Sequence, residues 1–299
     1  METTQTKELH ALPSPERIRV IQSGSWIPYP KARAILEELE YIYSESPRER
    51  PCRSRLDRVK GMTIIGPTNN GKTAIIRQFQ QAIRARDGAE QPDDEAEPLR
   101  VPYVEAPARP DEIALAREIL HRLGDTRTTK VGREECWERV ANIFHVRGVR
   151  LLVIDEIHNV LAGSPRLMET FLNRLKSLGS KAQTAVVLVG TERAHHVLQT
   201  DPEVCNRFRP MDLPAWQLNR EFAALVHMVL KTLPLREQKP LTQSSIELLH
   251  QASDGCLGGV VDLLQRMAIN ALRSGEECVT PAALETLVER RQLRGRGGR

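Results

Sequence analysis

The stretch Gly66-Pro67-Thr68-Asn69-Asn70-Gly71-Lys72-Thr73 sets two glycines, a lysine and a hydroxyl at the spacing G-x-x-x-x-G-K-[ST]. Glycines at 66 and 71 let the backbone turn tightly and aim its N–H groups inward, where they and a positive helix end can hold a polyanion. Lys72 is placed to reach the β- and γ-phosphates of ATP. The Thr73 hydroxyl is placed to take one position on Mg2+, a hard cation that keeps most of its waters.

Three further groups suit the same chemistry. Arg150-Leu151-Leu152-Val153-Ile154-Asp155-Glu156 is an apolar run closed by two carboxylates. Asp155 is expected to hold Mg2+ through water, and Glu156 to orient or deprotonate the attacking water. Ala185-Val186-Val187-Leu188-Val189-Gly190-Thr191 ends on a hydroxyl, which makes Thr191 a candidate sensor of the γ-phosphate. Asn206-Arg207-Phe208-Arg209 brings two arginines around one aromatic. Arginine stabilises charge on a transferring phosphoryl group and can be donated across a subunit interface. Spacing alone leaves Arg207 and Arg209 as alternatives, with Arg207 preferred.

These groups need elements to position them. Met62-Thr63-Ile64-Ile65 reads as a buried parallel strand entering the loop, and Ile75, Ile76, Phe79 and Ile83 recur at helical spacing after it. Further strands are expected at 101–104, 151–154 and 185–191, with the carboxylates at a strand's carboxyl end, where open α/β sheets bind ligands. Asp111 is expected to cap a helix over 111–123, and another helix runs over 164–178. From about 214 onward no strand is needed: amphipathic segments around Phe222–Leu230, Ile246–Leu249 and Val260–Leu272 precede a last helix opened by Thr280-Pro281.

Domain boundaries follow. Residues 1–50 read as an arm punctuated by Pro13, Pro15, Pro28 and Pro30, helical only over 31–43, with Trp26, Ile27 and Tyr29 packing on a neighbouring domain. Residues 51–214 form the α/β nucleotide-binding domain, 215–290 a helical lid, and 291–299 a flexible basic tail. Residues 87–99 carry six acids and no base and read as a solvated loop. The stretch 125–130 holds hydroxyls and bases, among them Arg127, Thr129 and Lys130, which suit contacts to DNA phosphates.

Composition excludes several classes. Hydrophobic content of 40% and charged content of 27% are ordinary for a globular protein, and no apolar run is long enough for a membrane span or a secretory signal, so a cytoplasmic protein is expected. The five cysteines form no C-x-x-C pair and the eight histidines no H-E-x-x-H pattern. A net charge of +4 leaves room for local basic patches.

In order, a phosphate loop, a strand ending Asp-Glu, a strand ending in a polar sensor, an Arg-Phe box and a helical lid resemble the AAA+ ATPases. Within them Trp26-Ile27-Pro28-Tyr29-Pro30-Lys31-Ala32, the wording of residues 66–73 and Val187-Leu188-Val189-Gly190-Thr191 look like the TniB family of transposition ATPases, related to TnsC and MuB. The resemblance implies a parallel five-stranded sheet between helices followed by the lid. It also implies ATP and Mg2+ as cofactors, slow regulatory hydrolysis, and a homo-oligomer, ring or filament, on double-stranded DNA without sequence preference. Its further partner would be the transposase of the same element. Lys72 and Thr73 match the family's phosphate and Mg2+ ligands, Asp155 and Glu156 its acidic pair, and Thr191 its sensor, with Arg207 facing the nucleotide of the next subunit. One departure stands out: many AAA+ lids carry a Gly-x-x-Arg turn, where this chain reads Gly258-Gly259-Val260-Val261. The alternative within the class is a helicase-loader or clamp-loader-like remodeller. A small-molecule kinase fits poorly, because it would exclude the water that Glu156 activates.

Overall fold

The computed structural model describes residues 9–45, 59–87, 100–126, 132–161, 164–194, 198, 202–237 and 239–296. The expected acidic loop at 87–99, apart from Asp87, and Arg127, Thr129 and Lys130 lie outside the described residues. The chain divides into two compact units.

The sheet unit, residues 30–67 and 72–214, holds α2 (Pro30–Ser44), β1 (Gly61–Ile65), α3 (Lys72–Arg86), β2 (Tyr103–Glu105), α4 (Glu112–Arg122), α5 (Arg133–Arg147), β3 (Leu151–Asp155), α6 (His158–Leu161), α7 (Pro165–Ala182), β4 (Ala185–Gly190), α8 (Pro202–Arg207) and β5 (Phe208–Asp212). The strands pair in the order β2-β3-β4-β1-β5, all parallel. Every residue of β1, β3 and β4 is buried, as continuous apolar runs flanked by helices on both faces require. Helix α3 buries Ile75, Ile76, Phe79 and Ile83, and Tyr43 of α2 meets Phe79 edge-on at 5.8 Å. Asp111 caps α4 as expected, accepting from Ile113 N and Ala114 N at 2.9 and 3.0 Å.

Two elements of this unit carry weak sequence signals. Strand β5 reads Phe-Arg-Pro-Met-Asp and buries only Phe208 well, because it is an edge strand with β1 as its one neighbour. Such a strand tolerates Pro210, which lacks an N–H. Helix α5 mixes buried Cys136, Trp137, Val140 and Phe144 with charge, so its amphipathic stripe is faint.

The helical unit gathers residues 1–29, 68–71 and 215–299. Its helices are α1 (Ser14–Ser23), α9 (Arg220–Thr232), α10 (Gln243–Ser253), α11 (Leu257–Ser274) and α12 (Pro281–Arg296). The segment 1–50, expected to be one arm with a single helix, has α1 as well as α2 among its described residues, and α1 belongs to the helical unit. Its anchor is Arg17, 1% exposed, which donates to both carboxylate oxygens of Glu277 at 2.6 and 2.5 Å and to the Pro234 carbonyl at 3.1 Å. An arginine 260 residues from its partner gives no local periodicity, so the helix reads as loop. Tyr29 is buried edge-on against Trp216 at 5.4 Å, which agrees with the packing role expected of this segment, and burial raises its pKa to about 12. Helix α12 corrects the expected tail: it continues to Arg296, past the boundary expected at 290, because Gln292, Leu293 and Arg294 are good helix formers. At the other end Thr280 caps it, accepting from Ala283 N at 3.3 Å. Among the described residues no helix is long and apolar enough to cross a membrane.

The Arg17 contacts hold the Glu277 carboxyl below its ordinary value of 4.5, through the hydrogen bond first and the opposite charge next. A carboxylate depressed in the folded state stabilises fully above its unfolded pKa, and that contribution is lost as pH falls through the folded value. Arg17→Ala is expected to lower stability by about 2 kcal/mol at pH 7 and by less at pH 3, as urea unfolding at the two pH values would measure.

Candidate nucleotide site

The parallel register builds the site. β1 lies between β4 and β5, with Ile65 opposite Gly190 and Asp212, while Ile154 of β3 faces Leu188 of β4. Gly66, Asp155, Glu156 and Thr191 therefore leave the carboxyl ends of three adjacent strands along one edge. Gly66 begins the loop in a confined place: its N–H donates to the Gly190 carbonyl at 3.2 Å, and a Cβ would stand 2.1 Å from the Leu213 carbonyl oxygen. No side chain fits there. Asn69 (φ 62°) and Gly71 (φ 89°) then take left-handed backbone, which turns the chain into α3.

Lys72, only 8% exposed, folds back so that Nζ donates to the Gly66 and Pro67 carbonyls, each at 2.8 Å. Its ammonium is thus held inside the loop by backbone oxygens. Thr73 Oγ1 donates to Asp155 Oδ2 at 3.1 Å. The Asp155 carboxylate, 3% exposed, also accepts from the Tyr103 hydroxyl at 2.6 Å and from the Glu156 N–H at 2.7 Å. Burial first, and the bond to Asp155 next, raise the Tyr103 pKa, so the phenol stays a donor. Sequence reading passed over Tyr103; its position at the start of β2, beside β3, was the available signal.

Beyond Asp155 the chain turns sharply, because Glu156 takes φ 55°, an uncommon value for a side chain with a Cβ. The Glu156 side chain is 45% exposed, and its Oε2 lies 3.1 Å from His158 Nδ1, an ion-pair distance. The angle there is not that of a hydrogen bond. His158, read from sequence as a surface or supporting residue, is therefore the neighbour that limits where the Glu156 carboxylate points. Thr191 Oγ1 is buried without a hydrogen-bond partner among the described residues. A buried hydroxyl in that state is costly unless something else meets it.

The donor set fits Mg2+ and a polyphosphate. No group of three His, Cys, Asp or Glu side chains suited to a metal occurs among the described residues. A cation held mainly by protein is thus not what these residues offer. A hydroxyl and a carboxylate oxygen 3.1 Å apart are instead close to the ~2.9 Å spacing of adjacent corners in an octahedron with ~2.05 Å metal–oxygen bonds. The remaining corners would be left to water and phosphate.

The structure thus brings Lys72, Thr73, Asp155, Glu156 and Thr191 to one edge. It does not bring Arg207 there. β5 is parallel to β1 with Phe208 opposite Gly61, so Arg207 lies at the opposite, amino-terminal edge, about 16 Å away at ~3.3 Å per residue. Arg207 Nη2 donates to Ser180 Oγ at 3.0 Å, whereas Arg209 is paired with Glu38 at 2.6 Å. Within the helical unit, Asn70 Oδ1 accepts from Leu257 N at 3.1 Å and the Asn69 carbonyl from Gly258 N at 2.9 Å. Gly258 is needed there, since a Cβ would meet Asn69 Oδ1 at 2.0 Å. Val261, the fourth residue of the Gly258-Gly259-Val260-Val261 turn, where a second sensor arginine is doubtful from sequence, is half-buried, and Val260 before it is buried.

Fold and site together define a P-loop NTPase of the AAA+ class: a parallel five-stranded sheet with a phosphate loop after β1, an acidic pair after β3, and a helical lid. The family model described as "Bacterial TniB protein" matches residues 17–218, and the chain belongs to the TniB family. Among solved structures it is similar to the ORC2 protein of Aeropyrum pernix, with TM-score 0.65 and 17% identity over 91% of this chain and 71% of that one. It is also similar to the ORC1 protein of the same organism, with TM-score 0.60 and 19% identity over 87% and 65%, and to Cdc6p of Pyrobaculum aerophilum, with TM-score 0.61 and 18% identity over 88% and 68%. The chain therefore spans about two thirds of the length of these proteins. No curated protein matches it.

Tyr103→Phe removes one of three donors to Asp155 while keeping the ring. It is expected to raise the Mg2+ concentration needed for binding of a fluorescent ATP analogue by about tenfold, as loss of an outer-shell partner does, with the fold unchanged by circular dichroism.

Proposed function

We propose that this chain is an ATP-hydrolysing regulator of DNA transposition. It assembles with copies of itself on double-stranded DNA irrespective of sequence, selects the target, and recruits or activates the transposase of its element in the cytoplasm. Hydrolysis controls disassembly. Membership of the TniB family over residues 17–218 is the observation that carries the biological part of this reading.

The chemistry rests on the edge that gathers the site residues. Residues Gly66, Pro67, Thr68, Asn69, Asn70, Gly71, Lys72 and Thr73 would surround the phosphates, with Lys72 exchanging its carbonyl partners for phosphate oxygens. Thr73 and Asp155 would hold Mg2+, which when bound screens the phosphate charge. Glu156 accepts a proton from water, and the unpartnered Thr191 hydroxyl donates to whatever oxygen stands beside it. Arg207 acts on the nucleotide of another copy, because its own strand end is a strand length away. Arg127, Thr129 and Lys130 remain the proposed DNA contacts.

A second reading, an AAA+ loader or remodeller of a protein ring, is supported by the solved structures, which are ORC and Cdc6 proteins. The ORC1 structure is a complex with DNA, and the ORC2 structure holds ADPNP and ADP. The readings differ in the client: DNA and a transposase for the first, a replicative helicase or clamp for the second.

Filter retention of random duplex with ATP, ADP or a nonhydrolysable analogue tests the first reading. Retention is expected with ATP and the analogue, absent in Lys72→Ala, and falling steeply between 50 and 200 mM salt. Glu156→Gln is expected to keep ATP binding, lower turnover by about a hundredfold or more, and leave the protein trapped on DNA. Failure to retain DNA in any nucleotide state would shift the assignment to the remodeller.

A further inference from the structure

A cleft of about 500 Å³ opens in the sheet unit beside Arg207, and the site described above does not use it. It is lined by three cations, Lys60, Lys176 and Arg207, and one carboxylate, Glu203. The amides of Asn173 and Asn206 add neutral hydrogen-bonding groups. Asn173, Lys176, Ser177 and Ser180 recur at helical spacing on α7 and make one polar stripe facing the cleft. The volume lies in the range of small-molecule sites, and the cationic lining suits an oxyanion.

Its place in the fold decides which oxyanion. Lys60 immediately precedes β1, Arg207 immediately precedes β5, and Ser180 stands in the last turn of α7 before β4. The cleft is therefore at the amino-terminal edge of the strands, and the phosphate loop leaves their carboxyl ends. Strands of five residues separate the two edges by about 16 Å, beyond the reach of a lysine or arginine side chain. Phosphates in the cleft must come from another molecule. A head-to-tail arrangement of identical copies supplies them, because each copy then turns its carboxyl-edge site toward the cleft of the next.

We propose that this cleft receives the polyphosphate of a nucleotide held by a second copy of the chain, with Lys60 and Lys176 contacting the phosphates alongside Arg207. The inference rests on the self-assembly of the reading above and extends it to two lysines. Ser180 is a positioning residue: it accepts from Arg207 Nη2 at 3.0 Å, and Gly179 leaves room for the guanidinium, whose Nη2 would stand 3.0 Å from a Cβ there. Glu203, whose side chain is 75% exposed, pairs with Lys176 at 2.9 Å and occupies the lysine with a carboxylate that arriving phosphate displaces.

The test measures ATP turnover against protein concentration, together with binding of a fluorescent ATP analogue. The double variant Lys60→Ala/Lys176→Ala is expected to bind the analogue as the unaltered protein does, yet to turn over about tenfold more slowly or worse. Adding excess Lys72→Ala, whose own site is disabled and whose cleft is intact, is expected to restore the turnover. Glu203→Gln is expected to lower the protein concentration at half-maximal turnover, a gain that misfolding cannot produce. If Lys72→Ala rescues Arg207→Ala but not the double variant, the lysine assignment falls and assembly stands. If it rescues neither, and turnover does not depend on concentration, the self-assembly reading falls as well. Loss of analogue binding by the double variant alone, or loss of DNA retention with turnover intact, would also overturn the proposal, in favour of a cis role or a DNA contact.

Discussion

β1 is hydrogen-bonded on both sides by parallel strands, β4 and β5, and that register is the constraint on which the site depends. Parallel pairing puts every carboxyl end on one edge and every amino end on the other. The loop after β1, the acidic pair after β3 and the hydroxyl after β4 are gathered by that pairing, and the Thr73–Asp155 bond then joins the first two. The same pairing sends Arg207 to the far edge. One arrangement of backbone hydrogen bonds thus separates the loop, the acidic pair and Thr191 from Arg207.

At the gathered edge, each charged group already has partners. Lys72 is held by two loop carbonyls, and Asp155 by Thr73, Tyr103 and its own chain's next N–H. These bonds satisfy both buried groups and fix where they point. Glu156 is different. It stands on left-handed backbone, its side chain is nearly half exposed, and His158 lies beside it.

The helical unit is held by contacts of another kind. Arg17 joins α1 to the turn carrying Glu277, and Tyr29 packs against Trp216, so the first residues of the chain are structurally part of its last ones. The loop tip at 68–71 belongs to the same unit, its Asn69 and Asn70 satisfying the first N–H groups of α11, which its N-cap residue Cys256 does not cap through a side-chain hydrogen bond.

What the sequence alone determined was whatever depends on near neighbours along the chain. The glycines and lysine of 66–73, the apolar runs of β1, β3 and β4, the Asp111 and Thr280 caps and the helical periodicity after 214 are local patterns with local causes, and each was legible. Tertiary structure decided the rest. Edge strand β5 has too few buried positions to show a pattern, and α1 owes its place to an ion pair 260 residues long. Tyr103 meets Asp155, and Lys60, Lys176 and Arg207 line one cleft, only because parallel pairing brings distant segments side by side. Such contacts leave no periodic trace, since their energy comes from burial and charge between residues that the chain order keeps apart.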